Sequence, residues 1–264
     1  MSNKVRTLGR LAFALCLAGL ATGCATTGQS REAAEEARLK QARSHLNLGV
    51  DYLRTDRAAL AIRELLIAEE FDPKNARIQF AIGEAYLRRD KPAEAEQHYR
   101  RVLELAPDFH DARLNLSAMY LGLGRYEECI AESRVLAEDA TFPGPWRALT
   151  NQGWAEYKLG RTAEARQSLG IATDYSPSYW PALLSLGILD VEDGRRLEAV
   201  RRFQKVLEHA PPADARAEAN YRLGEIYVAL GNRDRAVAYL RSAVVDSPGG
   251  QWGNKSEEYL KLLR

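Results

Sequence analysis

Cysteine, histidine and net charge are all scarce in this sequence of 264 residues, and each scarcity removes a class of function. The three cysteines are Cys16, Cys24 and Cys129. The first two lie in or beside an apolar N-terminal run, which leaves Cys129 alone, with no partner for an internal disulfide and the profile of a small buried hydrophobe. His45, His98, His110 and His209 show no pair at the spacing that sets two imidazoles on one helix face, so no metal site is expected. The formal charge is +1, and removing Lys4, Arg6 and Arg10 with the first 23 residues leaves +1 − 3 = −2. A nucleic-acid binder carries a clustered basic face instead. The arginine doublets 88–89, 100–101, 195–196 and 201–202, like the acidic pairs 69–70 and 127–128, read as solvated helix surface. There is no phosphate-cradling glycine loop followed by lysine and no serine elbow. No catalytic residue, cofactor or small-molecule substrate is expected, and the chain reads as a non-enzyme.

Long apolar runs are absent as well. Leu11 to Leu20 is too short to span a bilayer, and the basic residues before it give it the form of a secretory signal over 1–23. It closes on Leu20-Ala21-Thr22-Gly23-Cys24, which resembles a bacterial lipobox with Ala21 in place of the commoner leucine. That resemblance implies cleavage before Cys24 and lipid on its sulfur and new amino group. One acyl chain binds reversibly, at about 0.8 kcal/mol per buried methylene, whereas three make a lasting anchor. The alternative is an ordinary signal cleavage that leaves Cys24 an unmodified thiol. An aspartate after the cysteine commonly marks inner-membrane retention in Gram-negative lipoproteins. Here Ala25 follows, which favours the outer membrane with the chain facing the periplasm. Residues 24–41 read as a lipidated tether that turns helical near Ala33.

What the chain does contain is repetition. Gly49, Gly83, Gly153, Gly187 and Gly224 recur with Pro73, Pro107, Pro177, Pro211 and Pro248, mostly at a spacing of 34, and Ser117 stands where a sixth glycine is due. Around Gly49, the residues Leu48 and Tyr52 mark one helix, Ala61, Leu65 and Ala68 a second, and Asp72-Pro73 stops it. Small residues at Gly49 and Ala61 allow the two helices to approach closely. Such a hairpin cannot bury its own apolar face, so successive hairpins stack into one core. The pattern resembles the tetratricopeptide repeat (TPR), and it predicts an all-α superhelical solenoid of six helix-turn-helix repeats. The repeats span 42–75, 76–109, 110–145, 146–179, 180–213 and 217–250, with a capping helix over 251–264. Two insertions, through Thr141 to Pro145 and through Pro211 to Ala213, are expected in turns, where added length costs little.

In a TPR stack the first helix of each repeat lines the concave side, at three before, one after and four after the glycine. Those positions hold Leu46, Val50 and Leu53, then Phe80, Glu84 and Leu87, then Leu114, Ala118 and Leu121. The later repeats place Thr150, Trp154 and Tyr157, Leu184, Ile188 and Val191, and Tyr221, Glu225 and Val228 there. Some will pack against neighbouring helices. A contiguous exposed strip would instead receive an apolar helix or strand of a partner, and the candidate groove is Leu46, Val50, Leu53, Phe80, Leu87, Leu114, Leu121, Trp154 and Tyr157. Leu46 and Val50 stand where chaperone-tail binders carry a carboxylate clamp, which argues against that partner.

A lipobox followed by six such repeats, with a Phe-Pro turn after the third and Asn151-Gln152-Gly153 in the fourth, resembles the type IV pilus secretin pilotins of the PilF/PilW type, and most of all their myxobacterial social-motility members. The resemblance implies an outer-membrane-anchored protein that binds secretin subunits and promotes their insertion and multimerisation, permitting pilus extension and motility. A general envelope scaffold, serving outer-membrane protein insertion or peptidoglycan enzymes, is the second reading.

Overall fold

The computed structural model describes residues 30–209 and 211–263. The signal segment, Cys24 and the tether up to residue 29 lie outside them. Among the described residues there are thirteen helices and no strand. They are α1 (30–54), α2 (Ala58–Phe71), α3 (Ala76–Arg88), α4 (Pro92–Leu105), α5 (His110–Gly122), α6 (Tyr126–Glu138), α7 (Pro145–Lys158), α8 (Thr162–Tyr175), α9 (Trp180–Glu192), α10 (Arg196–Glu208), α11 (Ala213–Ala229), α12 (Arg233–Asp246) and α13 (Gln251–Leu262). None is long and apolar enough to cross a membrane. One compact unit ends at Phe109 and holds α1 to α4, and a second begins at His110 and holds α5 to α13.

Each helix pair is closed by the same turn. Seven residues past the glycine or Ser117 mark, the backbone enters the left-handed region at Asp56, Asp90, Gly124, Gly160, Gly194 and Gly231. The next N–H reaches back to the residue three past the mark, as from Arg57 to the Tyr52 carbonyl at 2.8 Å and from Arg125 to that of Tyr120 at 2.8 Å. This 6→1 bond satisfies a carbonyl the ending helix would leave unpaired, and it turns the chain into the next helix. Starts are fixed by Asn75, whose side chain accepts from two α3 amides, and by Pro92 and Pro145 in the first turns of α4 and α7.

The paired helices meet at the glycines. A Cβ placed on Gly49, Gly153 or Gly224 would lie 2.6, 2.7 or 2.6 Å from the Cγ of Leu65, Leu169 or Leu240, and at Gly83 and Gly187 it would strike the rings of Tyr99 and Phe203. All five large partners are fully buried, sixteen residues after their glycine. Burying each contributes about 2 kcal/mol. The third repeat exchanges sizes, with Ser117 at the glycine position and Ser133 sixteen residues on, both fully buried. The Ser117 hydroxyl donates to the Leu114 carbonyl at 2.9 Å and accepts from Asn151 Nδ2 at 2.8 Å, so the polar exchange leaves no orphan there.

Three past the mark, Tyr52, Tyr86, Tyr120 and Tyr227 each lie under a cation, Arg57, Lys91, Arg125 and Arg235. Repeats four and five put buried acids there instead. Glu156 receives hydrogen bonds from Gln152 at 2.8 Å and Ser168 at 2.7 Å. Asp190, 1% exposed, is bound by Arg166 at 2.9 Å, Arg195 at 3.0 Å and Arg202 at 2.6 Å. Its pairing pins α8, α9 and α10 together, as a buried carboxylate requires.

The insertion before the sixth repeat is not the turn that was expected. α11 has 17 residues against the 13 of α9, and it begins eleven residues before its glycine where α9 begins seven before. The extra length continues the helix by a turn, because 213–217 is alanine-rich with no residue to stop it. The other insertion does lie in a turn, and it folds Phe142 inward against Leu114, Leu136 and Ala148.

Candidate partner-binding site

In the first unit α1 and α3 bound a cleft of about 570 Å³. Leu46 and Val50 of α1, Phe80 and Ala81 of α3 and Phe109 form its apolar lining. Phe80 and Phe109 hold one another with ring centroids 5.0 Å apart. Asp51, Arg54, Arg77 and Glu84 give the cleft polar groups of both signs, with Arg54 engaged by Asp51 at 3.2 Å.

Two groove candidates of this unit behave differently. Leu53, 4% exposed, belongs to the core with Ile78, Ile82 and Ala85, because four residues past Gly49 the helix turns it toward α3. Leu87 is half-buried and outside the cleft lining. Phe109 was not foreseen. It lies between helices, beyond the helical spacing used to find the groove, and its aromatic character after Pro107 was the available signal.

In the second unit a pocket of about 280 Å³ is lined from α5, α7, α9 and α11. Leu121, Trp154, Trp180, Leu184 and Ile188 supply its apolar surface, and Thr150, Asn151, Ser185 and Glu218 its polar groups. Leu121 and Trp154 thus line it as their positions suggested. Leu114 does not, since it is 4% exposed and covered by the Phe142 turn. Tyr157 stands behind Trp154, ring centroids 4.9 Å apart, and its hydroxyl donates to the Glu192 carboxylate. Burial first, and that carboxylate second, push the Tyr157 hydroxyl up to about 12, so it braces the pocket as a neutral donor. Trp180 and Glu218 were missed, because they lie seven and six residues before their glycines and helical spacing alone did not single them out.

Cys129 is buried, its thiol 3.6 Å from the Asn151 carbonyl oxygen, and burial pushes it up to about 12. Among the described residues no group of three or more His, Cys, Asp or Glu side chains could hold a metal ion.

The helix pairs, their glycine contacts and two concave linings are the features of a repeat scaffold. A family profile described as Tetratricopeptide repeat matches residues 39–108, 150–195 and 184–250, more than half of the chain, and a second of the same description matches 86–153. The chain belongs to the tetratricopeptide repeat family. TPR arrays are interaction scaffolds, whose stacked hairpins present extended surfaces to protein partners. Two solved structures share this TPR fold along nearly their whole length. One is PilW, described as a widely conserved type IV pilus biogenesis factor, with 23% identity, TM-score 0.69, and 81% of this chain and 97% of that one covered. The other is Pseudomonas aeruginosa PilF, with 18% identity, TM-score 0.71, and 84% and 99% covered. At these identities the likeness is one of fold. The Protein CTR9 homolog of Arabidopsis thaliana is 29% identical over 121 residues, which span 44% of this chain and 11% of that protein.

Proposed function

We propose that this TPR protein is a lipid-anchored pilotin that binds secretin subunits and promotes their outer-membrane insertion and multimerisation for type IV pilus assembly. The observation that carries the reading is the first unit's cleft, where Leu46, Val50, Phe80 and Phe109 offer an apolar surface beside polar groups of both signs. Such a lining suits a segment that is apolar on one side and polar on the other, as in a chain on its way into a membrane. The likeness in fold to PilF and to the type IV pilus biogenesis factor PilW, over more than four fifths of this chain, supports the same reading. In it, Cys24 carries the lipid, the repeats face the periplasm, and α1 leads from the anchor into the first hairpin. The partner's apolar segment is shielded until it reaches the bilayer, which lowers its chance of aggregating on the way.

The experiment compares cells with and without the gene for heat-resistant secretin oligomers in the outer membrane. The reading predicts oligomers in the first and secretin monomers in the second, with other outer-membrane proteins unaffected. Oligomers persisting without this protein would contradict it, and a general loss of outer-membrane proteins would favour an envelope scaffold.

A further inference from the structure

The pocket of the second unit has an uneven hydrogen-bonding inventory. Thr150 donates its hydroxyl proton to the Trp146 carbonyl at 2.7 Å, and Ser185 donates its own to the Pro181 carbonyl at 2.9 Å. Asn151 donates from Nδ2 to Ser117 Oγ at 2.8 Å, and this fixes the amide orientation, since the Ser117 proton already goes to the Leu114 carbonyl. Apart from the indole N–H groups and the second N–H of Asn151 Nδ2, the polar side chains lining the pocket therefore offer acceptors: two hydroxyl oxygens, Asn151 Oδ1 and the Glu218 carboxylate.

Glu218 lies deepest in the imbalance. Its side chain is 19% exposed and its cation partner is Arg222 at 3.5 Å, beyond the 2.7–2.9 Å of a charge-assisted hydrogen bond. Arg222 is divided between Glu218, Glu225 at 3.7 Å and the face of Trp252 at 5.1 Å. Lys158, over Trp154 at 4.9 Å, and Lys255, over Trp252 at 4.4 Å, also attract the Glu218 carboxylate through space, more weakly than Arg222 does. A carboxylate or phosphate would meet acceptors here. A purely apolar side chain would strip water from Glu218 and return no hydrogen bond. A cation bearing several N–H groups satisfies the acceptors, and Trp154 and Trp180 can flank its aliphatic stem.

We propose that this pocket takes an arginine or lysine side chain from a partner peptide, with Glu218 as its counter-ion and Asn151 Oδ1 as a second acceptor. The inference goes beyond the pilotin reading by adding, in the second unit, a pocket at which a partner presents a basic residue. The probe is a positional-scanning library of blocked, tryptophan-free nonapeptides, with binding to the full protein followed by its tryptophan fluorescence. Arginine or lysine should be preferred over norleucine about tenfold at one position. Glu218→Gln should cut that preference to about twofold while leaving preferences for apolar residues elsewhere in the peptide unchanged. Ser185→Lys, which brings a cation into the pocket with Glu218 in place, should abolish it too. Circular dichroism verifies that both variants are folded. No peptide binding, no basic preference, or a preference undiminished in Glu218→Gln would overturn the proposal. Capture of purified secretin by the wild-type protein, measured alongside, reports on the pilotin reading separately, because its failure removes that reading and leaves the peptide result standing.

Discussion

Gly83 faces the ring of Tyr99 so closely that a Cβ at residue 83 would lie 2.8 Å from Tyr99 Cε1. Tyr99 is fully buried and cannot swing aside. Gly83→Ala therefore overpacks the α3–α4 crossing and should lower stability by about 1–3 kcal/mol in urea unfolding. Gly122→Ala is the control, since a Cβ there meets nothing within 4 Å and should leave stability unchanged or slightly higher. Equal losses in the two variants would show that the close approach is not what makes Gly83 costly to replace.

The hairpin turns give a second prediction. Gly194, at φ 74°, occupies the left-handed position where an L side chain is strained, and its alanine variant should lose about 1 kcal/mol. Asp90 already sits there at φ 55°, so Asp90→Gly removes strain and should come out more stable than Gly194→Ala relative to wild type. Thermal melts of the two variants decide it.

These two sets of positions also show how far the sequence could be read. The 34-residue spacing and the glycine marks announced six hairpins, because close helix crossings demand small residues at a fixed place. The left-handed column at 56, 90, 124, 160, 194 and 231 was equally periodic, yet its mixture of Asp and Gly disguised a shared backbone need. Groove membership was harder. Leu53 and Leu114 occupy positions equivalent to open ones, but α3 covers the first and the inserted Phe142 the second, and neither depends on the residue itself. Trp180 and Glu218 reach their pocket from the first turns of α9 and α11, and the second of these helices was lengthened by an insertion expected in a turn.

Cys129 supplies a chemical prediction. With its thiol pushed up to about 12, mainly by burial, almost no thiolate exists at pH 8. In a chain lacking residues 1–29, where Cys129 is the remaining thiol, Ellman's reagent should react slowly in the native protein and rapidly after unfolding in guanidinium. Rapid reaction in the native state would place the thiol at the surface.

Glu218 supplies the pH dependence. Burial, the largest influence, raises its carboxyl above the ordinary value, and Arg222 only partly opposes this. A carboxyl raised on folding binds more protons folded than unfolded, so its ionisation disfavours the fold, increasingly as pH rises from the ordinary carboxylate range through the folded value. Glu218→Gln should therefore melt higher than wild type at pH 7.5, with the difference shrinking toward pH 4. A variant less stable than wild type at pH 7.5 would mean that the pairing with Arg222 outweighs the cost of burial.

The most direct measurement is capture of purified secretin subunits by the detergent-solubilised protein and by its Leu46→Glu, Phe80→Glu double variant. Both substituted side chains are half-buried in the cleft lining, so folding is verified by circular dichroism. Wild type should retain secretin, and the folded double variant should lose at least tenfold in retention. Undiminished capture by that variant would contradict the claim that the apolar cleft of the first unit holds the partner.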